Sequence, residues 1–289
     1  SIIQNCNLIL MNIDKLVIDE DDKAYRDDLK GEALAIRGLA LFDLTRIFGY
    51  PYLKDNGASL GVPIIEGLST IDSKPTRNTV AQCYTKIIDD LTQSLSLLGE
   101  KFNKGKINKW GAMVLLSRVY LYKGENANAL KMASDAIIGA EKNKYALWTN
   151  EDYPTAWGED ASASKPGEVL FEIVNLTTDS PGKESMGYLN SYDGYDDMCI
   201  TCSFYQFLKE DPKDIRLKLL SFDKKYYAYV NKYQPQREEN IEDANIPLIR
   251  LSEAYLNAAE AAVKENDNDA AVKYLDPIVK RANPDNTVV

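Results

Sequence analysis

Hydrophobic residues recur three and four positions apart along much of the chain, the spacing that lines one face of an α-helix. Ile2, Cys6, Ile9, Ile13, Leu16 and Val17 set the pattern at the start. Leu29, Ala33, Ile36, Ala40, Leu44 and Ile47 repeat it until Gly49 and Pro51 end it. A loop carrying Gly57, Gly61, Pro63 and Gly67 follows, and Pro75-Thr76 reads as the opening of a helix bearing Val80, Tyr84, Ile87, Leu91, Leu95 and Leu98, closed by Gly99. Two longer stretches each read as a helical hairpin. From Ile107 to Ala140, Ala112, Leu115, Leu116, Val119 and Tyr120 are followed, past Gly124, by Ala129, Met132, Ala133, Ala136 and Ile137. From Ile246 to Asn283, Leu251, Ala254, Tyr255, Ala258 and Ala262 precede Ala271, Tyr274, Leu275, Ile278 and Val279, with a kink or restart expected at Asp276-Pro277. Small residues on the inner faces let antiparallel helices approach closely, and each hairpin buries its apolar side only by stacking on a neighbour. That is the physical logic of tetratricopeptide-like repeats.

The window 141–240 breaks this pattern. It holds ten of the eighteen tyrosines and two of the three tryptophans, and only short regular pieces stand out. Glu168–Val174 alternates like a strand, and Tyr226–Val230 reads as another. An insert this long without regular structure is uncommon in a compact domain unless it carries function. The expected fold is therefore mainly α: a helical-hairpin scaffold from 1–140 and 241–289, with a loop-rich mixed insert at 141–240 containing a few short strands, all in one domain over 1–289.

Composition narrows the chemistry. A formal charge of −10 leaves no basic surplus to neutralise phosphates, which argues against nucleic-acid partners and anionic membrane surfaces. Histidine is absent, which excludes Ser-His and Cys-His nucleophiles and imidazole zinc sites. Cys6 and Cys83 lie on apolar stripes and read as core residues. Cys199 and Cys202 form a lone C-x-x-C pair, read as buried thiols in preference to a local disulfide. No metal, cofactor or catalytic role is expected. Adjacent carboxylates such as Glu151 with Asp152, or Glu159 with Asp160, do not aim across one bond as a glycosidase requires. Asp193, Asp196 and Asp197 do not follow a calcium-loop spacing, and Asp267-Asn-Asp reads as a solvated turn and helix cap. Arg37, Arg46, Arg118 and Arg250, set in apolar helices, read as paired structural residues.

Three segments carry a resemblance: GEALAIRGLALFDLTRIFGYPY (Gly31 to Tyr52), INKWGAMVLLSRVYLYKG (Ile107 to Gly124) and IPLIRLSEAYLNAAEAAVK (Ile246 to Lys264). In wording, order and spacing they resemble the SusD/RagB family, surface lipoproteins of the Bacteroidetes that capture nutrients for polysaccharide utilisation beside a TonB-dependent transporter. The resemblance implies a SusC/RagA-like partner, an oligosaccharide or a peptide as ligand, and a lipid-anchored place on the outer membrane. Both ends fall short of the family pattern, so the signal peptide and lipidated cysteine are expected upstream of Ser1. A protein–protein adaptor of tetratricopeptide type is the competing reading.

Two aromatic groups are the candidate ligand-binding residues. Trp148, Tyr153 and Trp157 lie among Asn150, Glu151 and Asp152, which suits stacking on a sugar face with neighbouring hydrogen bonds, or simply pinning a loop onto the helices. Tyr188, Tyr192, Asp193 and Tyr195, with Gly194 between, suit a loop presenting several rings, or a packed tyrosine-rich turn. The strand-like Glu168–Val174 segment lies between the two groups, so it is the expected shared scaffold.

Overall fold

The computed structural model describes residues 1–288 apart from 71, 159–165, 177, 197, 223–226 and 236–239. It is mainly helical, with a few short strands, and the chain divides into two compact units. The first comprises Ser1–Phe102, Lys106–Asn143 and Glu253–Ala271; the second comprises Asn103–Gly105, Lys144–Ser252 and Val272–Val289. No described helix is long and apolar enough to cross a membrane.

The first unit is built on helices α1 (Ile2–Asn12), α2 (Lys23–Phe48), α3 (Val80–Leu97), α4 (Lys109–Lys123) and α5 (Asn126–Lys142). Each follows from local sequence. Thr79 accepts from the Gln82 amide while the Gln82 side chain accepts from the Thr79 amide, a reciprocal box worth about 1 kcal/mol. The start of α3 is therefore Thr79 and not Pro75-Thr76, because that box satisfies the first free amides. Asn108 caps α4, and Gly124 closes it at φ 82°, a left-handed position that turns the chain into α5. Against Trp110 of α4 packs Gly139 of α5, where a Cβ would sit 2.1 Å from the indole. The small-residue reading of this hairpin thus has a specific cause. Leu115, Leu116, Val119, Ala133 and Ala136 are buried as the stripes require.

Charges inside this unit are matched. Arg37 donates to both oxygens of Asp90 at 2.7 and 2.8 Å and to Asn7 at 2.9 Å, while Lys86 bridges Asp90 at 3.2 Å and Glu66 at 2.6 Å. Arg46 pairs with Asp43, and Arg118 with Glu253. Cys6 and Cys83 are buried free thiols. The N-terminal stripe needs correction: α1 ends at Asn12, a 3-10 turn covers Ile13–Lys15, and Leu16 and Val17 are exposed.

The second unit contains β1 (Val169–Ile173), α6 (Met186–Leu189), α7 (Cys202–Lys209), β2 (Leu220–Phe222), β3 (Ala228–Val230) and β4 (Ile246–Arg250). β1 pairs antiparallel with β4, with register breaks near Phe171, and β2 pairs antiparallel with β3. Ile246–Arg250 is thus a strand and not the first turn of a helix. Pro247 would be tolerated in a first helical turn, so the deciding factor is the β1 edge, which pairs Ile246 with Ile173 and Pro247 with Glu172. Helix α8 (Leu251–Lys264) begins directly after it. α9 (Asn268–Ala282) opens on an Asp267 cap, with the Ala270 amide donating to Oδ1 at 3.0 Å. It runs through Pro277 without the restart expected there. Asp276 lies within the helix and accepts from the Val288 amide at 3.2 Å. Cys199 and Cys202 are exposed free thiols, which corrects the buried reading: they border the start of α7, whose buried residue is Leu208. Of the second strand expectation, β3 covers Ala228–Val230, and Tyr226 lies outside the described residues, as do Glu159, Asp160 and Asp197.

Candidate functional site

Trp148, Tyr153 and Trp157 come together within the second unit. The centroids of Trp148 and Trp157 are 5.0 Å apart, and Tyr153 lies 5.6 Å from Trp157 and 6.1 Å from Trp148, all edge to face. Such contacts add about 0.5–1.5 kcal/mol per pair beyond the area buried. The three rings are 6%, 4% and 7% exposed and pack with Ala156, Val169, Ile215 and Leu219. The expected open platform is instead a closed cluster, because the short turns over 151–158 fold the loop back on itself. Thr149 bonds Asp152 at 2.7 Å, and the Asn150 side chain donates to the Arg281 carbonyl at 2.7 Å.

Around the rings stands a set of charges that spacing along the chain did not announce. Glu168, wholly buried, accepts from Arg250 at 2.6 Å, from Arg281 at 2.5 Å, from the Trp148 amide at 3.2 Å and from the Ser252 hydroxyl. The Arg250 guanidinium carbon sits 4.7 Å from the Trp157 ring centroid, that of Arg281 4.6 Å from Tyr153, and Lys232 Nζ 4.9 Å from Trp157. Asp214, capping the turn Ile215–Leu219, is taken up on both oxygens by Arg216, whose Nε lies 2.9 Å from Oδ1. Burial pushes the Lys232 ammonium below the usual lysine range. Repulsion from Arg250, Arg216 and Arg281 adds to this, and Glu168 offsets part of it.

The second aromatic group is more open. Tyr192 and Tyr195 are 42% and 43% exposed, Asp193 is exposed and Tyr188 is half-buried. Tyr188 and Tyr195 meet edge to face at 5.1 Å, and Tyr192 leans on the buried Tyr229 at 6.0 Å. The Tyr229 hydroxyl donates to Asp196, which holds the left-handed conformation at φ 59°.

A shared scaffold does link the two groups, and its centre is β2–β3 more than β1. Tyr229 of β3 carries the tyrosine loop, and the Ile200 amide donates to the Ala228 carbonyl at 2.8 Å. Leu219 just before β2 packs in the tryptophan cluster, and Lys232 just after β3 caps Trp157. β1 contributes Val169 and the preceding Glu168. Arg250 is paired, as its place in an apolar run implies. Glu168, Arg216, Lys232 and Arg281 escaped notice, since their meeting depends on residues up to 113 positions apart. The one signal was Glu168 heading a strand that is apolar but for Glu172. Among the described residues no group of three His, Cys, Asp or Glu side chains is placed to hold a metal ion.

A family described as starch-binding and associating with the outer membrane matches residues 1–121, and the SusD family matches residues 210–289. Among solved structures the chain is similar to a Bacteroides vulgatus protein described as a candidate sugar-binding protein, with 80% identity and a TM-score of 0.97 over 100% of this chain and 64% of that one. A SusD superfamily protein from the same species shares 39% identity and a TM-score of 0.91, covering 99% of this chain and 66% of that one. A Bacteroides thetaiotaomicron member of the superfamily shares 36% and 0.88, again over 99% and 66%. The chain spans 64–66% of the length of these relatives. No protein of curated function is significantly similar to it.

Proposed function

The chain belongs to the SusD family, and we propose that it captures glycan at the bacterial surface and passes it to a SusC-like TonB-dependent transporter. The parent protein is held on the outer membrane by a lipid anchor in this reading. Capture is reversible binding without bond-breaking, so no nucleophile or acid–base pair is required of the site.

The observation that carries the reading is the pair of exposed rings, Tyr192 and Tyr195, fixed in a loop by the buried Tyr229 and by Tyr188. Rings already held lose little conformational freedom when a sugar stacks on them. Asp193 beside them accepts hydrogen bonds from sugar hydroxyls. Trp148, Tyr153 and Trp157 meet the ligand by the rim of their cluster, which its packing keeps rigid. The 80% identity to a candidate sugar binder supports glycan over peptide as the ligand.

A glycan and peptide array probed with the purified protein tests the class of ligand. Glycans on the array are expected to bind; retention of peptides alone moves the protein to peptide capture, and retention of neither removes the capture reading. On the glycan identified, the Tyr192→Ala/Tyr195→Ala double variant is expected to lose about 1–3 kcal/mol of affinity by isothermal titration. Unchanged affinity in a folded variant places the site elsewhere.

A further inference from the structure

The cluster around Trp157 has more positive charge than its structure uses. Among the described residues Arg216, Lys232, Arg250 and Arg281, four cations, face three carboxylates there, Glu168, Asp214 and, beside Arg216, Asp211. Both oxygens of Asp214 are taken by Arg216, and both oxygens of Glu168 by Arg250, Arg281, Ser252 and the Trp148 amide. Lys232, partly buried, makes no ion pair among the described residues and has only the Trp157 ring beneath it.

A ring face compensates an ammonium for part of its lost hydration, but an unpaired charge at a partly dry site remains costly. Two further donors nearby are unused. The indole nitrogens of Trp148 and Trp157 are buried and have no acceptor among the described residues. Among the described residues one compact region thus holds three donors without acceptors and a local surplus of positive charge. The chain as a whole is strongly acidic, with a net charge of −10, so a local surplus of positive charge gives an anion a place to settle.

We infer that the Trp157 cluster is a subsite for the acid group of a sugar: the carboxylate of a uronic acid accepts from Lys232 beside Arg250, while the sugar ring lies on the exposed tyrosines or the rim of the tryptophans. A planar carboxylate brings a single charge and two acceptor oxygens, which suits one free ammonium. A neutral glycan leaves Lys232 unpaired. The inference rests on the capture reading and narrows its ligand to acidic glycans.

The test uses pectic, alginate and glycosaminoglycan oligosaccharides, each beside its carboxyl-reduced counterpart, which keeps the skeleton and removes the charge. Isothermal titration is expected to show the acidic form of the preferred oligosaccharide bound about tenfold or more tighter than the reduced form, a charge-assisted contact being stronger than a neutral one. Lys232→Gln is expected to abolish that preference, and Lys232→Arg to keep it. Equal binding of acidic and reduced forms overturns the acid subsite and leaves glycan capture standing. A preference that survives in folded Lys232→Gln also overturns it. Preference for sulfated over carboxylated sugars, lost in Lys232→Gln, overturns the uronate assignment in favour of a sulfate ester. Binding of no sugar at all, neutral or acidic, overturns the capture reading together with the subsite.

Discussion

Asp90 in the helical unit and Glu168 in the second unit are both wholly buried, and the two are partnered differently. Asp90 in the helical unit faces Arg37 and Lys86, and Lys86 in turn faces Glu66, so two positive charges meet two negative ones. Asn7 completes the arrangement and anchors its own amide on the Ile65 and Gly67 carbonyls at 2.8 and 2.9 Å. Nothing there is left to attract a further charge. Glu168 faces Arg250 and Arg281, while Lys232 feels Glu168 only at longer range and makes no ion pair among the described residues. A closed network fixes a fold; an open one keeps its electrostatic demand for something outside the chain. The contrast separates charge that is matched within the fold from charge that is not.

Removing Asp90 tests the closed side. Asp90→Ala strands Arg37 in the interior, and urea unfolding is expected to show a loss of about 3–5 kcal/mol, the range for breaking a buried pair from one side. A loss below about 1 kcal/mol means the network is dispensable and the contrast drawn here is false. Glu168→Gln tests the open side more gently, since the amide oxygen still accepts from one arginine while the negative charge is gone. The expected cost is about 1–3 kcal/mol by the same measurement.

Lys232→Met has the smallest effect and the opposite sign. Deleting an unpaired, partly buried cation while keeping its alkyl stem is expected to raise stability by up to about 1 kcal/mol, read as a higher melting temperature. The pH dependence follows. The folded-state pKa of Lys232 lies below its unfolded value, so between the two the unfolded chain holds more protons and stability rises with pH. Below that window the penalty is present in full, and above it the penalty is gone. In the alkaline range the parent is therefore expected to gain on Lys232→Met as pH rises. Parallel curves for the two proteins would show that Lys232 carries no penalty.

The helical unit was largely legible in the sequence because its chemistry is local. Stripes of Leu and Ala with a glycine at the turn specify α4 and α5 within some thirty residues, and Leu116 is 2% exposed where the stripe places it. The paired character of Arg37, Arg46, Arg118 and Arg250 was legible too, since a charge in an apolar run has to find a partner. What failed were positions decided by distant partners. Ile246–Arg250 has a pattern that suits a helix, and the β1 edge makes it a strand. Trp148 and Trp157 sit in a polar stretch that suggests exposure, yet Ile215, Leu219 and Val169 close over them. No spacing rule joins Lys232 to Trp157 or Arg281 to Glu168, so the charge surplus existed only once the chain was folded.

The pairing of β1 with β4 has a consequence for how the molecule is made. β1 leaves the ribosome early, with Val169, Leu170 and Phe171 apolar and its edge unpaired. The groups that complete it arrive later: Arg250, Ser252 and Arg281 lie 82, 84 and 113 residues beyond Glu168. The α4–α5 hairpin closes as soon as its own residues emerge, whereas the second unit waits for a long loop to be drawn shut. Until then the nascent chain carries an exposed strand of the kind that aggregates and that chaperones cover. The Glu168 cluster is thus completed well after the α4–α5 hairpin.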